Sequence, residues 1–201
     1  MRSVCESTPF KITGIKSQKT VYVERIVVYS IGRKGLRMMN RADTERVKRM
    51  AQAAIIAALY VVLTLIFAPI SFGEVQLRVA EVLTILPMFT SAAVPGLFLG
   101  CVIANMCAGA ALIDVIAGSF ATLIGAIGSY LLRSNRWLVP VPAILANALI
   151  VPLILQYGYG VKLPYLLLFG YIALGEIGGC YILGELFATL LIKHKDVLFK
   201  K

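Results

Sequence analysis

Charge is scarce in this sequence. Only 15% of its 201 residues are charged, whereas 59% are hydrophobic, and the mean hydropathy is +0.85. Residues 82–113 hold no charged side chain over 32 positions. A soluble domain of this size could not keep so much apolar surface away from water. The composition therefore excludes that class and predicts an integral membrane protein.

Residues that carry metal or nucleophile chemistry are equally sparse. The single histidine, His194, lies in the carboxyl-terminal tail, and the four cysteines show neither metal-ligand nor redox spacing. No HExxH pattern is present, which argues against an intramembrane metalloenzyme. The phosphate-binding pattern GxxxxGK[ST] is absent too, so the chain cannot hydrolyse ATP by that route. We therefore expect no catalytic residues, no metal and no cofactor.

The positive charge is concentrated at the amino terminus, where residues 1–50 carry 12 Lys or Arg and 4 acids. Nucleic-acid binding is one explanation of such a segment. We favour retention on the cytoplasmic side of an anionic membrane, without nucleic acid as a partner, because an apolar run follows directly. Residues 1–40 match neither a signal peptide nor a folded domain, and we interpret them as a disordered extension or a gene-model artefact.

Apolar runs predict six membrane-spanning helices, since a helix crosses the hydrocarbon core with about 20 apolar residues. Pro87, Pro95 and the turn-like sequence SAAVPG at 91–96 divide the uncharged stretch in two. Six spans place every basic cluster, and both termini, in the cytoplasm. We therefore predict an all-α bundle over residues 41–201 with these spans: 51–69, 75–92, 95–113, 114–132, 137–157 and 164–192.

Polar side chains in these spans are the functional candidates, because each charge at mid-membrane costs about 2.5–3.5 kcal/mol on insertion scales. On the predicted topology most of them lie in the outer half of the bundle, as a pocket open to the outside requires. Glu185 lies in the inner half, and either a contact with a partner protein or a structural role would explain it. The candidate substrate-binding residues are Glu74, Arg78, Glu81, Asn105, Asp114, Asn147 and Glu176.

The stretch GEVQLRVAEVLT at 73–84 holds three of these candidates. In an α-helix Glu74, Arg78 and Glu81 would share one face, and we expect Arg78 to pair with Glu81 or Glu74. Four acids against one arginine leave hydrogen-bond acceptors in surplus, which favours a donor-rich or positively charged ligand. The alternatives are a solvated loop acid for Glu74, a structural ion pair for Arg78 and Glu81, and interhelical hydrogen bonds for Asn105 and Asn147.

Several segments resemble, in order, the QueT family, whose members are substrate-binding membrane subunits (S components) of energy-coupling-factor transporters linked to uptake of queuosine precursors. The segments are AQAAIIAALYVVL, GEVQLRVAEVLTILP, PGLFLGCVIAN, DVIAGSFATLIG and GEIGGCYILG. The resemblance covers about residues 45–192. It implies a six-helix bundle in the bacterial cell membrane that takes its substrate from outside.

The resemblance also implies partners: one transmembrane coupling protein and two cytoplasmic ATPases. Members of the family present small residues of the first helix to the coupling protein. In this chain those positions are Ala53, Ala54, Ala57 and Ala58. Packing inside the bundle is the alternative explanation of the same pattern.

The ligand that the resemblance implies is a deazaguanine bearing an aminomethyl group. One carboxylate would accept from its guanine-like edge and a second would meet its ammonium group. Glu81 and Glu176 are the candidates, with Asp114 or Glu74 as substitutes, and which carboxylate meets which end stays open. Asn105 and Asn147 would serve the ring carbonyl.

Two other functions remain open. The chain could be an S component for another donor-rich small molecule, such as a vitamin or a nucleobase. It could instead be a standalone proton-coupled carrier with Glu176 and Glu185 as successive proton sites. The small number of polar residues in the inner half argues against the carrier.

Overall fold

The computed structural model describes residues 41–71 and 78–193. These residues form helices and turns, with no β-strand among them, so the all-α class is confirmed for this part of the chain. Residues 1–40, Glu74 and His194 lie outside the described residues. The chain divides into two units, residues 1–45 and 46–201, and every candidate site residue belongs to the second.

Seven α-helices make up most of the described chain, numbered in chain order: α1 Arg41–Ile66, α2 Ala68–Ser71, α3 Ala93–Cys107, α4 Ser119–Leu131, α5 Val141–Gly158, α6 Tyr165–Glu176 and α7 Gly184–Lys193. Two 3-10 helices, Val79–Met88 and Arg136–Leu138, lie between them. Two π-helical turns, Asp114–Gly118 and Ile177–Leu183, run directly into α4 and α7.

Within the described residues, four helical stretches are long and apolar enough to cross a membrane, by length and composition: Asp43–Ile66, Asp114–Leu131, Arg136–Gly158 and Tyr165–Lys193. They agree with four of the six predicted spans. The other two predicted spans correspond to the shorter helices Val79–Met88 and Ala93–Cys107. At about 2.0 and 1.5 Å of rise per residue, each of these falls short of a hydrocarbon core about 30 Å thick. The count of six spans therefore stays a prediction.

The segment around Arg78 and Glu81 differs from the predicted α-helix. Arg78 has extended backbone angles, φ −80° and ψ 91°, and the helix that follows is of the 3-10 type. Pro87 cannot donate a backbone hydrogen bond, and the Thr84 hydroxyl donates to the Glu81 carbonyl at 2.6 Å. Both features weaken α-helical pairing here, so the prediction that Arg78 and Glu81 share an α-helical face is wrong.

The turn predicted at 91–96 is displaced. The chain turns at 89–92, and α3 begins at Ala93. Pro95 therefore lies in the first turn of α3, where its missing N–H has no helical partner to lose. The division of the uncharged stretch into two helices is confirmed.

Burial in this fold is typical of a membrane protein. Large apolar side chains are exposed, such as Leu131 at 72% and Leu166 at 78%, while charged side chains such as Glu81 and Asp114 are buried. Charged groups almost never become fully buried unless they are paired or functional. The buried polar groups are therefore the part of the molecule to explain.

Small residues bring α1 and α3 into close contact. A Cβ atom at Gly96 would lie 2.8 Å from the Ala53 carbonyl oxygen, and one at Gly100 would lie 2.8 Å from the Tyr60 Cβ. Ala57 is buried beside Gly100. Of the four predicted partner-contact residues, Ala53 and Ala57 thus pack inside the bundle, whereas Ala54 and Ala58 are exposed. This contact also fixes the position of Tyr60.

At one end of the bundle an arginine clamp joins the α4–α5 connection to α7. Arg136 donates from Nε to Glu185 Oε2 at 2.5 Å and from a terminal nitrogen to the Glu185 carbonyl at 2.9 Å. The same guanidinium donates to the Thr189 hydroxyl at 2.5 Å. Beside it Ile85, Val139 and Ala188 form an apolar cluster. Glu185 therefore has a structural partner.

We predict that Gly100→Ala lowers the stability of the purified protein by about 1–3 kcal/mol, because the added methyl group overpacks the contact with Tyr60. Thermal unfolding in detergent measures the effect. Gly170→Ala is the matched control, since a Cβ there meets nothing within 4 Å. Equal effects of the two substitutions would contradict the close α1–α3 contact.

We predict that Arg136→Gln and Glu185→Gln each lower stability by about 1 kcal/mol, as expected for a partly exposed ion pair. A double-mutant cycle in thermal unfolding should show that the two effects are not additive. Lys162→Gln, at an exposed position, serves as the control and should change little. Additive effects at positions 136 and 185 would show that the clamp does not form.

Candidate functional site

Glu81 is the most deeply buried acid of the described chain, with 0% of its surface exposed. It stands in the first turn of the 3-10 helix Val79–Met88. Tyr60, on α1, donates its hydroxyl hydrogen to Glu81 Oε1 at 2.7 Å. Glu81 Oε2 has no hydrogen-bond partner among the described residues. One oxygen of this carboxylate therefore accepts a hydrogen bond, and the other is buried without a donor. We call such a buried acceptor atom open.

Glu176 brings two further residues to the same place. It ends α6, and both of its carboxylate oxygens accept hydrogen bonds: Oε1 from Asn147 Nδ2 at 3.0 Å and Oε2 from Cys180 Sγ at 3.0 Å. Asn147 lies on α5 and is 1% exposed, and its Oδ1 has no partner among the described residues. The amide therefore offers a second open acceptor.

These side chains form one group. Ligand atoms of Glu81, Glu176 and Cys180 lie within 4.8 Å of one another. We call the set that they form with Tyr60 and Asn147 the acceptor cluster. Its members come from α1, the 3-10 helix Val79–Met88, α5, α6 and the π-helical turn Ile177–Leu183.

Irregular helices bring the acceptor cluster together. A Cβ at Gly179 would lie 3.0 Å from the Arg78 carbonyl oxygen, so glycine allows the chain ahead of Glu81 to approach the last long helix closely. Gly179 lies in the π-helical turn that follows Glu176. Such turns occur frequently at functional sites. Close backbone approach at Gly179 is what puts Glu81 beside Glu176 and Cys180.

A second buried group lies next to the acceptor cluster. Arg78 forms an ion pair with Asp114 at 3.6 Å, and Tyr159 donates to the other Asp114 oxygen at 3.0 Å. Asn105 Nδ2 donates to the Asp114 carbonyl at 3.3 Å. We call Arg78, Asn105 and Asp114 the Arg78 cluster, which the more exposed Tyr159 contacts from the loop after α5. Sequence spacing predicts Glu81 or Glu74 as a partner of Arg78, and the structure adds Asp114, which lies in a separate helical segment.

Tyr159 connects two loops above the Arg78 cluster. Besides donating to Asp114, its hydroxyl oxygen accepts from the Ala111 amide at 3.1 Å. Partial burial raises the pKa of Tyr159, and the negative charge of Asp114 adds to the effect. The phenol therefore keeps its proton at neutral pH and stays a donor to Asp114. The Tyr159 hydroxyl therefore joins the turn that ends at Ala111 to the loop 159–164.

Six of the seven predicted site residues lie in these two clusters, each between 0% and 4% exposed. Glu81, Asn147 and Glu176 share the acceptor cluster, and Arg78, Asn105 and Asp114 share the Arg78 cluster. The seventh, Glu74, lies outside the described residues. The structure thus brings together side chains that the sequence places on separate helices.

Tyr60 and Cys180 are site residues that the sequence does not single out. Tyr60 lies in a predicted apolar span, although a phenol buried in a membrane helix usually finds a hydrogen-bond partner. Cys180 shows no metal-ligand or redox spacing, but it stands four residues after Glu176, a spacing at which helical side chains meet. These two signals could have found both residues.

Chemically, the acceptor cluster is rich in oxygen acceptors and has few spare donors. Two open acceptors, Glu81 Oε2 and Asn147 Oδ1, suit a ligand that donates hydrogen bonds. Glu81, Glu176 and Cys180 are also spaced so that they could hold a metal ion. Because Asn147 and Cys180 already donate to Glu176, the cluster is held together without one.

Comparison with known proteins adds the family. The QueT transporter family matches residues 50–193. The chain is also similar to a protein named "Queuosine precursor transporter QueT" from Lactococcus lactis subsp. cremoris (strain MG1363): it is 30% identical over 157 residues, which cover 72% of this chain and 92% of that protein. No solved structure matches the chain. With its apolar helices and this match over most of its length, the chain is a membrane protein of the QueT transporter family.

Proposed function

We propose that this chain captures a queuosine precursor, a deazaguanine bearing an aminomethyl group, as the S component of an energy-coupling-factor importer in the bacterial cell membrane. The observation that carries the proposal is the acceptor cluster, with Glu81 Oε2 and Asn147 Oδ1 buried and open. Buried polar groups are costly unless they are paired, so a cluster that keeps open acceptors is explained by a ligand that supplies donors.

Chemistry and family together support this substrate class. A guanine-like edge offers a ring N–H beside an exocyclic amino group, and an aminomethyl group adds a positive charge. The two neighbouring acids Glu81 and Glu176 favour such a ligand over phosphates or carboxylates. The relative from Lactococcus lactis is named for a queuosine precursor, which supports the same substrate class.

The proposed topology has six spans, with both termini in the cytoplasm and the loops 108–113 and 159–164 outside. Arg133 and Arg136 then lie on the cytoplasmic side, as the positive-inside rule expects. The acceptor cluster would be reached from outside, past the Arg78 cluster and Tyr159.

The opposite end favours an S component over a standalone proton carrier. Glu185, which a proton path would need, is engaged by Arg136, and Ile85, Val139 and Ala188 pack beside that clamp. Transport would then depend on partner proteins: a coupling protein and two ATPases. Exposed Ala54 and Ala58 on α1 are the proposed contacts with the coupling protein, since small residues let helices approach closely.

We predict uptake of a labelled aminomethyl-deazaguanine only when the chain is produced together with a coupling module. The test uses bacterial cells that lack their own uptake route, with the empty vector and the module alone as controls. Equal uptake without the module would favour the standalone carrier. Failure of uptake, together with tight binding of another compound to the purified protein, would keep the fold and replace the substrate.

We predict that Glu81→Gln weakens binding of the same ligand about 10- to 100-fold, because a hydrogen bond to a charged group contributes roughly 1.5–3 kcal/mol. Calorimetry on the purified protein measures the change. Glu185→Gln makes the same chemical change at the opposite end of the bundle and should leave affinity within about threefold of the wild type. Normal binding by Glu81→Gln would show that the ligand lies elsewhere.

A further inference from the structure

Glu176 differs from Glu81 in having no open oxygen. Its Oε1 accepts from Asn147 Nδ2 and its Oε2 accepts from Cys180 Sγ, both at 3.0 Å. The acid is 3% exposed and ends α6 against α5, so neighbours fill its surroundings. A carboxylate that already has a donor on each oxygen is poorly placed to be the first contact of a ligand edge.

The bond to Glu176 decides which way the Asn147 amide faces. A carboxylate accepts hydrogen bonds, so the amide must turn its NH2 group toward Glu176 and its oxygen away. Asn147 Oδ1 is then left without a partner among the described residues, in a side chain that is 1% exposed. The bond to Glu176 therefore fixes the orientation of this amide.

Tyr60 acts on Glu81 in the same way. Its hydroxyl occupies Oε1 at 2.7 Å and leaves Oε2 as the open atom. A ligand in the acceptor cluster therefore meets two oriented acceptors, one charged and one neutral. Neither acceptor can be satisfied by another acceptor, so the ligand has to bring two donors.

We propose that Glu176 is a positioning residue, which together with Cys180 holds Asn147 so that Oδ1 accepts from the exocyclic amino group of the ligand while Glu81 Oε2 accepts from the adjacent ring N–H. The ring N–H of a lactam is a more acidic donor than an aromatic amino group. Its hydrogen bond to the charged acceptor Glu81 is therefore the stronger one, and the amino group donates to the neutral amide of Asn147. This assignment rests on the proposed function and names the two protein atoms that recognise the ligand edge. It replaces the ring-carbonyl role that the sequence suggests for Asn147.

The proposal predicts selection for the amino group. A ligand that keeps the ring N–H but lacks the exocyclic amino group leaves Asn147 Oδ1 buried and unpaired. Leaving this buried acceptor without a donor weakens binding by about tenfold or more. Loss of orienting contacts at Asn147 should erase the preference without erasing binding.

The test compares two probes in calorimetric titrations of the full-length protein: 7-aminomethyl-7-deazaguanine and the same molecule without its 2-amino group. The wild-type protein should prefer the first probe at least about tenfold. Asn147→Ala and Glu176→Ala should both bring the ratio of the two affinities close to one. Glu176→Gln should keep the wild-type ratio, because glutamine can still accept from Asn147 and its own NH2 group can face the Cys180 sulfur.

The glutamine variant separates positioning from direct contact even if the alanine variant does not fold. Were Glu176 the partner of the ligand ammonium group, Glu176→Gln would weaken both probes strongly and by the same factor, and the proposal would be overturned. A wild-type ratio near one would overturn it as well, while tight binding of both probes left the proposed function standing. If the wild-type protein binds neither probe, the proposed function fails and this inference fails with it.

Discussion

The constraint on which this structure depends is the cost of hiding polar groups among apolar helices. A charge at mid-membrane costs about 2.5–3.5 kcal/mol on insertion scales, so each buried acid needs a compensating partner. Tyr60 supplies one for Glu81, Asn147 and Cys180 supply two for Glu176, and Arg78 pairs with Asp114. Within the acceptor cluster, Glu81 Oε2 and Asn147 Oδ1 are the buried oxygen atoms that these bonds leave without a hydrogen-bond donor among the described residues.

Backbone irregularity is the means by which these partners meet. A 3-10 helix carries Glu81, one π-helical turn holds Asp114 and another follows Glu176. Regular α-helices would have given longer apolar rods with fewer inward polar groups. These three irregular segments lie at the two polar clusters, whereas the α1–α3 contact, made of small residues, is between regular helices and serves packing.

Much of this fold could be predicted from the sequence. Long apolar runs located four helices to within a few residues at most of their ends, because run length is a direct consequence of membrane thickness. The segment 79–88 could not be read in the same way, since nothing in a short apolar run with one proline distinguishes a 3-10 helix from an α-helix. Arg78 was assigned a partner by helical spacing, and the structure pairs it with Asp114, which no local spacing indicates.

The sequence predicts which residues form the site better than it predicts the contacts between them. Burying polar side chains in apolar spans costs free energy, so Glu81, Asn147 and Glu176 are each expected to have a polar partner. In the structure they lie in the same cluster. The sequence does not identify Tyr60 and Cys180 as site residues, because either residue can also be an ordinary core residue. Their roles as hydrogen-bond donors become clear only from the positions of Glu81 and Glu176. The four alanines of α1 show a different limit of prediction, because the sequence pattern of small residues does not distinguish buried from exposed positions. Ala53 and Ala57 pack inside the bundle, whereas Ala54 and Ala58 are exposed.

The π-helical turn Ile177–Leu183 couples the two ends of the last long helix through its register. A π turn contains more residues than an α turn, so deleting one residue there would restore regular winding. An α-helix wound through all of the present residues would instead rotate α7 by about 100°, the rotation of one residue, and would carry Glu185 away from Arg136. By absorbing one residue, the π turn therefore lets Glu176 and Glu185 face their separate partners from one continuous helix.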